Sequence, residues 1–547
     1  MKEHSENSTT YTNPVIPGDW SDPGVVRVGE DYYSVRSSFG WQPGLHIAHS
    51  KDLIHWKYIG FADTDNAFDI PYGETDRGVW GSDIGYDPTT KTFLIYAPVR
   101  GEIGVFSSSD PAGPYTYGGI IIKGYDPGFF VDDDGSMYLT KAGGEVYKLT
   151  EDGQRIDGEP VAQVANGEGP EIFKRNGYYY YLISPGGTRP YQDHMIMSYR
   201  AKSLEGPWEE DPTNPVMHAP HTTGSALQGP GHGEVFQTHT GEWYITYHAY
   251  ELSHYSLGRQ MGLEPVEWTD DGWWRPMNGR LPGEQNPFPS LRPVACHMQD
   301  SDEFNCEVLG KQWFFHTKPD YSGRSWSLTE APGYLRIKTQ PGDISSAAAA
   351  TGLFLQRVTR KAFDITTCIT FDAREGHETA GIHLYHDPER NIWLTTTVAD
   401  GRKIFEVGTY DKPFPQEQDP SSLEAADITR ILRSISKEKT ILARVDNWIG
   451  ETVHLRMRID GEERVRFACG PDGRNWSDLG IEVYFGDSWH HALRGKLPGS
   501  PDLGWVGCGR ANVWTGTTMG VFACRNGASR SANADFHFFR IESSEGR

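Results

Sequence analysis

Apolar positions along this chain fall in short runs, among them Tyr32-Tyr-Ser-Val, Thr92-Phe-Leu-Ile-Tyr, Met137-Tyr-Leu-Thr and Cys368-Ile-Thr-Phe, separated by Asp-Gly, Asn-Gly and Pro-Gly turns. A period of two between turn signals predicts β-strands, and no amphipathic helical window of similar length competes, so the expected class is all-β with few, short helices. Within the first half the pattern repeats. Five segments share a polar residue, a short apolar strand, a turn and an aromatic-rich strand, and begin at Asp22, Ser82, Asp126, Glu168 and His232, spaced 60, 44, 42 and 64 residues apart. Units of that size match a four-stranded blade, and five of them predict a five-bladed β-propeller.

Beyond about residue 285 the pattern changes. Asn286-Pro-Phe-Pro-Ser-Leu-Arg-Pro is a proline-rich boundary, and later runs such as Tyr334-Leu-Arg-Ile-Lys and Val453-His-Leu-Arg-Met-Arg-Ile alternate as the strands of a two-sheet jelly roll would. The expected domains are therefore a propeller over 11–290 and a β-sandwich over 298–545.

In a propeller, the residues that start the innermost strands meet at one mouth of the central channel. The register brings Asp22, Asp126, Glu168 and His232 together there, with Ser82 in the second blade. Crowding like charges is costly unless chemistry uses it. Glycoside hydrolysis needs one protonated carboxyl group and one ionised one, and a third carboxylate can keep the acid protonated. Asp132-Asp-Asp-Gly lacks the remaining ligands of a calcium loop and reads as a hairpin turn.

The overall composition narrows the partners. Lys and Arg number 51 against 74 Asp and Glu, and the resulting charge of −23 repels polyanions, so a neutral oligosaccharide or polysaccharide is the expected partner, with no nucleic acid and no membrane. No run approaches the roughly 18 apolar residues of a membrane span. The first residues carry no secretory signal, which gives a cytoplasmic expectation, or a secreted one if a leader was removed. All six cysteines lie beyond residue 295 without a C-x-x-C pair, and are expected as buried free thiols rather than zinc ligands. Homo-oligomerisation is left open.

Several motifs, in order, resemble glycoside hydrolase family 43, the five-bladed propeller β-xylosidases and α-L-arabinofuranosidases. They are Asn13-Pro-Val-Ile-Pro-Gly-Asp-Trp-Ser-Asp22-Pro; Phe39-Gly-Trp-Gln-Pro-Gly with His49-Ser-Lys-Asp-Leu-Ile-His-Trp56; Tyr125-Asp126-Pro-Gly-Phe-Phe; Glu168-Gly-Pro with Lys174 and Tyr178-Tyr-Tyr-Tyr; Gly231-His232-Gly; and Leu257-Gly-Arg259-Gln. The resemblance implies an inverting enzyme with Asp22 as general base, Glu168 as general acid and Asp126 as modulator of the acid. Glu171 is the rival acid, but strand alternation is expected to put it on the opposite face from Glu168.

The same resemblance implies that Phe39 and Trp80 wall the terminal-sugar subsite and that Arg259 touches sugar hydroxyls. His232 would tune the acid, orient a water or contact a hydrated ion. No cofactor is required, while a structural Ca2+ or other ion in the channel remains open. A concanavalin-like sandwich is implied for the second half, with Trp514 in Asn512-Val-Trp-Thr-Gly at the place of an aromatic lid. Two departures, Trp80-Gly-Ser-Asp in the second blade and Pro185 before Gly-Gly-Thr, leave xylose and arabinose undecided. The expected activity is exo-acting release of terminal β-D-xylose or α-L-arabinofuranose from xylan-derived chains. The alternatives are a debranching or endo-acting enzyme, and a non-catalytic carbohydrate-binding propeller.

Overall fold

The computed structural model describes residues 9–72, 78–188, 192–388, 390–410, 439–484 and 514–543. It divides into two units, one comprising the chain up to Met298 except for two short stretches, the other Pro71–Gly73, Ser253–Leu257 and everything from Gln299 onward. Helical turns among the described residues are 3-10 segments only, at His221–Thr223, Tyr255–Leu257 and Ala347–Gly352.

In the first unit five antiparallel sheets follow one another along the chain. Their innermost strands are Gly24–Val28, Asp83–Asp87, Gly128–Val131, Glu168–Arg175 and Leu227–Gln237. Each blade is too small to bury both faces alone, and the apolar side chains accordingly cluster between blades. Val35, Ile47, Ile84 and Phe93 fill the seam between the first and second blades, Leu94, Tyr96 and Leu139 the next, and Phe130, Ile172 and Tyr181 the third. Phe173 and Tyr180, stacked at 4.9 Å, lead the fourth seam, where Ile245 and Tyr247 also pack. The fifth seam joins last blade to first through Tyr32, Trp56, Tyr244 and Met261, so the ring closes.

Closure is reinforced by the N-terminal segment. Thr10–Thr12 pairs with Gln285–Pro287, and Ile16 bridges to Met261 in the last blade. Asn13, buried, donates through Nδ2 to the carbonyls of Leu263 and Gly283 at 2.9 Å each and accepts the Leu263 N–H at 3.0 Å. One side chain thus ties the N-terminal segment to three backbone groups, sharing the two carbonyls with Tyr11 and Asn286.

Among the described residues the second unit is a sandwich of two seven-stranded sheets. Thr452–Ile459 shows why the sequence folds this way: Val453, Leu455, Met457 and Ile459 enter the core, while His454, Arg456 and Arg458 face outward. Arg458 grips Asp364 on the neighbouring strand with bonds of 2.8 and 2.7 Å. Full burial of each such apolar side chain is worth about 1.5–3 kcal/mol, so a one-residue slip would invert the whole set and is strongly disfavoured. The Asp132-Asp-Asp-Gly stretch is a hairpin turn closed by Gly135 N–H to Asp132 O at 2.9 Å, with the Asp132 carboxylate held by Lys174 and Tyr179.

The thiols need a correction. Cys368, Cys469 and Cys524 are buried and free, but Cys296 is half-buried and Cys306 exposed. Both lie in irregular chain outside any sheet, where no strand face carries them inward. Cys508 falls outside the described residues.

Replacing Asn13 by alanine is expected to destabilise the first unit by about 1–3 kcal/mol, because the buried Leu263 N–H loses its side-chain acceptor. Thermal or urea unfolding followed by tryptophan fluorescence checks this, and an unchanged midpoint would mean that the segment does not secure the ring.

Candidate active site

Five residues at equivalent places in the blades share a left-handed backbone: Asp22 (φ 52°), Gly81 (54°), Asp126 (49°), Gly169 (53°) and His232 (48°). Such angles are uncommon for residues with a Cβ, and three of the five carry one. The repeat register therefore runs through Gly81 and Gly169, so Ser82 and Glu168 are displaced by one position from the expected alignment. The second correction follows from the same region. A bulge lies between Glu168, which pairs with Ser184, and Glu171, which pairs with Leu182. The extra residue restores Glu171 to the face of Glu168, contrary to simple alternation. Glu171 is buried deeper than Glu168, beside Gly128, where a Cβ would come within 2.7 Å of its Oε2.

At the channel mouth Asp22 is buried and fully engaged. Ser37 Oγ donates to its Oδ2 at 2.6 Å, Arg259 Nη1 to its Oδ1 at 2.5 Å, and His248 Nδ1 lies 3.0 Å from the same oxygen. Ser37 Oγ also accepts the Gly81 N–H at 2.7 Å, tying the first blade to the second. Gly81 has no side chain for a steric reason, since a Cβ there would stand 2.2 Å from Asp126 Oδ1. Asp126 Oδ2 accepts the Gly169 N–H at 3.2 Å, which joins the third blade to the fourth. His232 presents Nδ1 3.6 Å from Asp22 Oδ1, and its N–H donates to Ser184 Oγ at 2.7 Å.

Electrostatics separate the three carboxyls. Burial pushes Asp22 upward, but the Arg259 guanidinium and the hydrogen bond to His248 outweigh it and hold Asp22 well below the usual carboxylate range. Burial, then the charges of Glu168 and Asp22, push Asp126 well above that range. Glu168 is raised to about 7 by desolvation and by Asp22, with Arg259 pulling the other way. Its side chain is still 38% exposed, which leaves it reachable from the mouth.

A second layer of acids lies one step deeper. Asp83 is raised to about 6 by burial, and Glu171 and Glu234 well above their usual value by burial and mutual repulsion. Gly24 and Gly128 face this layer without side chains, and a Cβ at Gly24 would meet Asp83 Oδ1 at 2.6 Å. Among the described residues no group of three or more His, Cys, Asp or Glu is arranged to hold a metal ion.

Of the residues singled out in the sequence, the structure brings together Asp22, Asp126, Glu168, His232 and Arg259. Arg259, expected on sugar hydroxyls, spends a guanidinium nitrogen on Asp22. Phe39 is buried with its ring edge-on to Trp41, and two backbone bonds join it to Val79, next to the half-buried Trp80. Trp514 belongs to the sandwich unit, where it is half-buried ahead of the strand Thr518–Arg525.

The sequence reading missed Ser37, His194 and His248. His248 stands opposite Gly231 in the register of the last blade, and a Cβ on Gly231 would fall 1.9 Å from His194 Cε1. A glycine before a channel histidine, facing a histidine across the strand pair, was the available signal.

Residues 11–274 match the family described as glycosyl hydrolases family 43, and residues 301–542 match the β-xylosidase C-terminal concanavalin A-like domain. The chain belongs to glycoside hydrolase family 43. It is 32% identical over 425 residues to the non-reducing end α-L-arabinofuranosidase BoGH43B of Bacteroides ovatus, covering 72% of this chain and 77% of that one. It is 28% identical over 432 residues to a β-xylosidase of Bacillus subtilis, covering 71% and 79%. The crystal structure of the family 43 protein BlXynB from Bacillus licheniformis superposes with a TM-score of 0.82 at 30% identity, covering 98% of this chain and all of the other. The protein is thus a glycoside hydrolase of the β-xylosidase and arabinofuranosidase type, with a five-bladed propeller and a concanavalin-like sandwich.

Replacing Arg259 by methionine is expected to cost about 3–5 kcal/mol at neutral pH, because Asp22 is left as a buried charge without its cation. In the wild type the lowered pKa of Asp22 stabilises the fold above its unfolded value and ceases to do so as pH falls through the folded one. Without Arg259, burial raises Asp22, and protonation removes the penalty on acidification. The difference between variant and wild type should therefore shrink between pH 7 and pH 4 in denaturant titrations, and a difference independent of pH would assign the loss to packing.

Proposed function

We propose that the protein is an exo-acting, inverting glycosidase that releases terminal β-D-xylose or α-L-arabinofuranose from xylan-derived oligosaccharides. The observation that carries this reading is the divergence of two carboxyls at one mouth: Asp22 held ionised by Arg259, and Glu168 raised to about 7 while still accessible. An ionised Asp22 serves as general base, taking a proton from the attacking water. A protonated Glu168 serves as general acid, giving its proton to the glycosidic oxygen as the bond to the anomeric carbon breaks. Asp126 acts as modulator: Glu168 and Asp126 repel when both are ionised, so the two hold their protons as a pair.

The pentose assignment draws on the relatives. One is named for α-L-arabinofuranose at the non-reducing end and another for β-xylose. A neutral sugar also suits a chain of charge −23.

Glu168→Gln is expected to lower kcat on xylobiose or an arabino-oligosaccharide by about 10²–10⁴, and much less on a 4-nitrophenyl glycoside, whose leaving group needs little protonation. Asp22→Asn should silence both classes. The alkaline limb of the wild-type rate should fall near pH 7 as Glu168 loses its proton, and disappear in Glu168→Gln. Proton NMR of the first sugar released should show the anomer opposite to that of the substrate. Full hydrolysis of xylobiose by Glu168→Gln would remove Glu168 from the acid role.

A further inference from the structure

A carboxylate acts as general base through one oxygen, and the donors around Asp22 decide which oxygen that is. An ionised carboxylate offers about four acceptor places, two on each oxygen. Oδ1 is crowded, with Arg259 Nη1 at 2.5 Å, His248 Nδ1 at 3.0 Å and His232 Nδ1 at 3.6 Å. The first two donate and fill its places. Oδ2 accepts one bond, from Ser37 Oγ at 2.6 Å. Among the described residues, these donors leave one acceptor place on the carboxylate, and it lies on Oδ2.

The Ser37 hydroxyl is itself aimed from the other side. Its oxygen accepts the Gly81 N–H at 2.7 Å, and the serine is fully buried, so its single proton is directed to Asp22 Oδ2 rather than to water. The Ser37 N–H donates to the carbonyl of Ser21 at 3.1 Å, which holds the serine against the residue preceding Asp22. Gly81 is fixed in turn by its left-handed backbone and by Asp126, whose Oδ1 leaves no room for a Cβ. At the repeat position, where the first and third blades bring a carboxyl to the mouth, the second blade brings this backbone N–H.

We propose that Ser37 is a positioning residue for the base: held by Gly81, it orients Asp22 so that Oδ2 takes the proton of the attacking water. The inference rests on the general-base role given to Asp22 above. In the step, a water O–H bond breaks and its proton passes to Oδ2, while the water oxygen bonds to the anomeric carbon. The glycosidic C–O bond breaks, and the Glu168 proton goes to the leaving oxygen. Ser37 neither gains nor loses a proton.

A second consequence separates this role from packing. The Ser37 bond favours the ionised form of Asp22, so without it Asp22 takes up a proton more readily as pH falls. Arg259, His248 and His232 face Asp22, and Asp126 and Glu168 share the mouth. Removal of one buried hydroxyl leaves all five side chains present.

The test is Ser37→Ala, assayed on whichever of xylobiose and 4-nitrophenyl α-L-arabinofuranoside the wild type hydrolyses. Expected are a kcat lower by about 10–100-fold with KM within about twofold, and a ratio of variant to wild-type kcat/KM that falls further as pH is lowered from neutrality. Asn13→Ala, which loosens the same ring through Leu263 and Gly283, measures what destabilisation alone does and is expected to keep the wild-type kcat. A Ser37→Ala kcat close to wild type, an equal loss in Asn13→Ala, or a ratio that stays constant down to the lowest pH at which both proteins are folded overturns the proposal. If Ser37→Ala does not fold, the same quantities are read in Ser37→Cys, whose thiol is a weak donor. Asp22→Asn measured alongside keeps the two ideas apart: its full activity removes the base assignment itself, whereas its silence beside an unperturbed Ser37→Ala removes only the role of Ser37.

Discussion

The contact between Arg259 and Asp22 is the interaction on which the site depends. Three carboxyls gather at one mouth, two of them buried, and such a group lowers its energy by taking up protons unless a cation opposes it. Arg259 sits against one of the three. Asp22 is thereby fixed as the ionised member, and its charge then acts on the other two, raising Asp126 and Glu168. A single ion pair thus divides chemically similar side chains into a base and an acid. It also makes Arg259 part of the electrostatic machinery whether or not a sugar touches it.

That arrangement requires a backbone that aims five strand entries at one axis. The shared left-handed residue does so, and each blade meets its cost differently. Gly81 and Gly169 adopt the angle freely, and each leaves room for a neighbour, Asp126 in one case and the His232 ring in the other. Asp22, Asp126 and His232 accept the angle with a side chain attached and are held there by bonds from adjoining blades. Strain of order 1–3 kcal/mol per residue persists only where surroundings over-determine it, and the seams between blades supply that constraint. Residues under such strain are also the ones whose side chains carry the proposed chemistry.

Much of this was legible in the sequence, for physical reasons that also mark the limit. Strand periodicity and the spacing of five similar units report burial, and burial decides architecture, so the propeller and sandwich follow from patterning alone. Asp22, Asp126 and His232 sit at the true repeat register and were found by it. Glu168 was found one position away from that register, because counting back from the second strand cannot see the bulge in the fourth blade. The same blindness put Glu171 on the wrong face. His248 escaped because a buried histidine in an aromatic strand looks like any other interior polar residue until the register sets it opposite Gly231, and His194 because it lies in irregular chain just ahead of the strand Met195–Ala201. Cys306 was misread for the converse reason, since burial frequencies of a residue type say little about irregular chain.

The deeper acids complete the electrostatic argument. Among the described residues no Arg or Lys opposes the deeper acids: burial pushes Asp83 upward, and burial with repulsion from neighbouring acids pushes Glu171 and Glu234 upward. Were they ionised, their field would add to that of Asp22 and hold Glu168 protonated far beyond neutrality, which would stop it from releasing its proton. Glu171 and Glu234, pushed well above their usual value, contribute little charge in neutral solution. The balance at Glu168 is then left to its burial, the charge of Asp22 and the opposing charge of Arg259. Glu168 near 7 is the outcome of that balance: high enough to hold a proton in neutral solution, low enough to give it up.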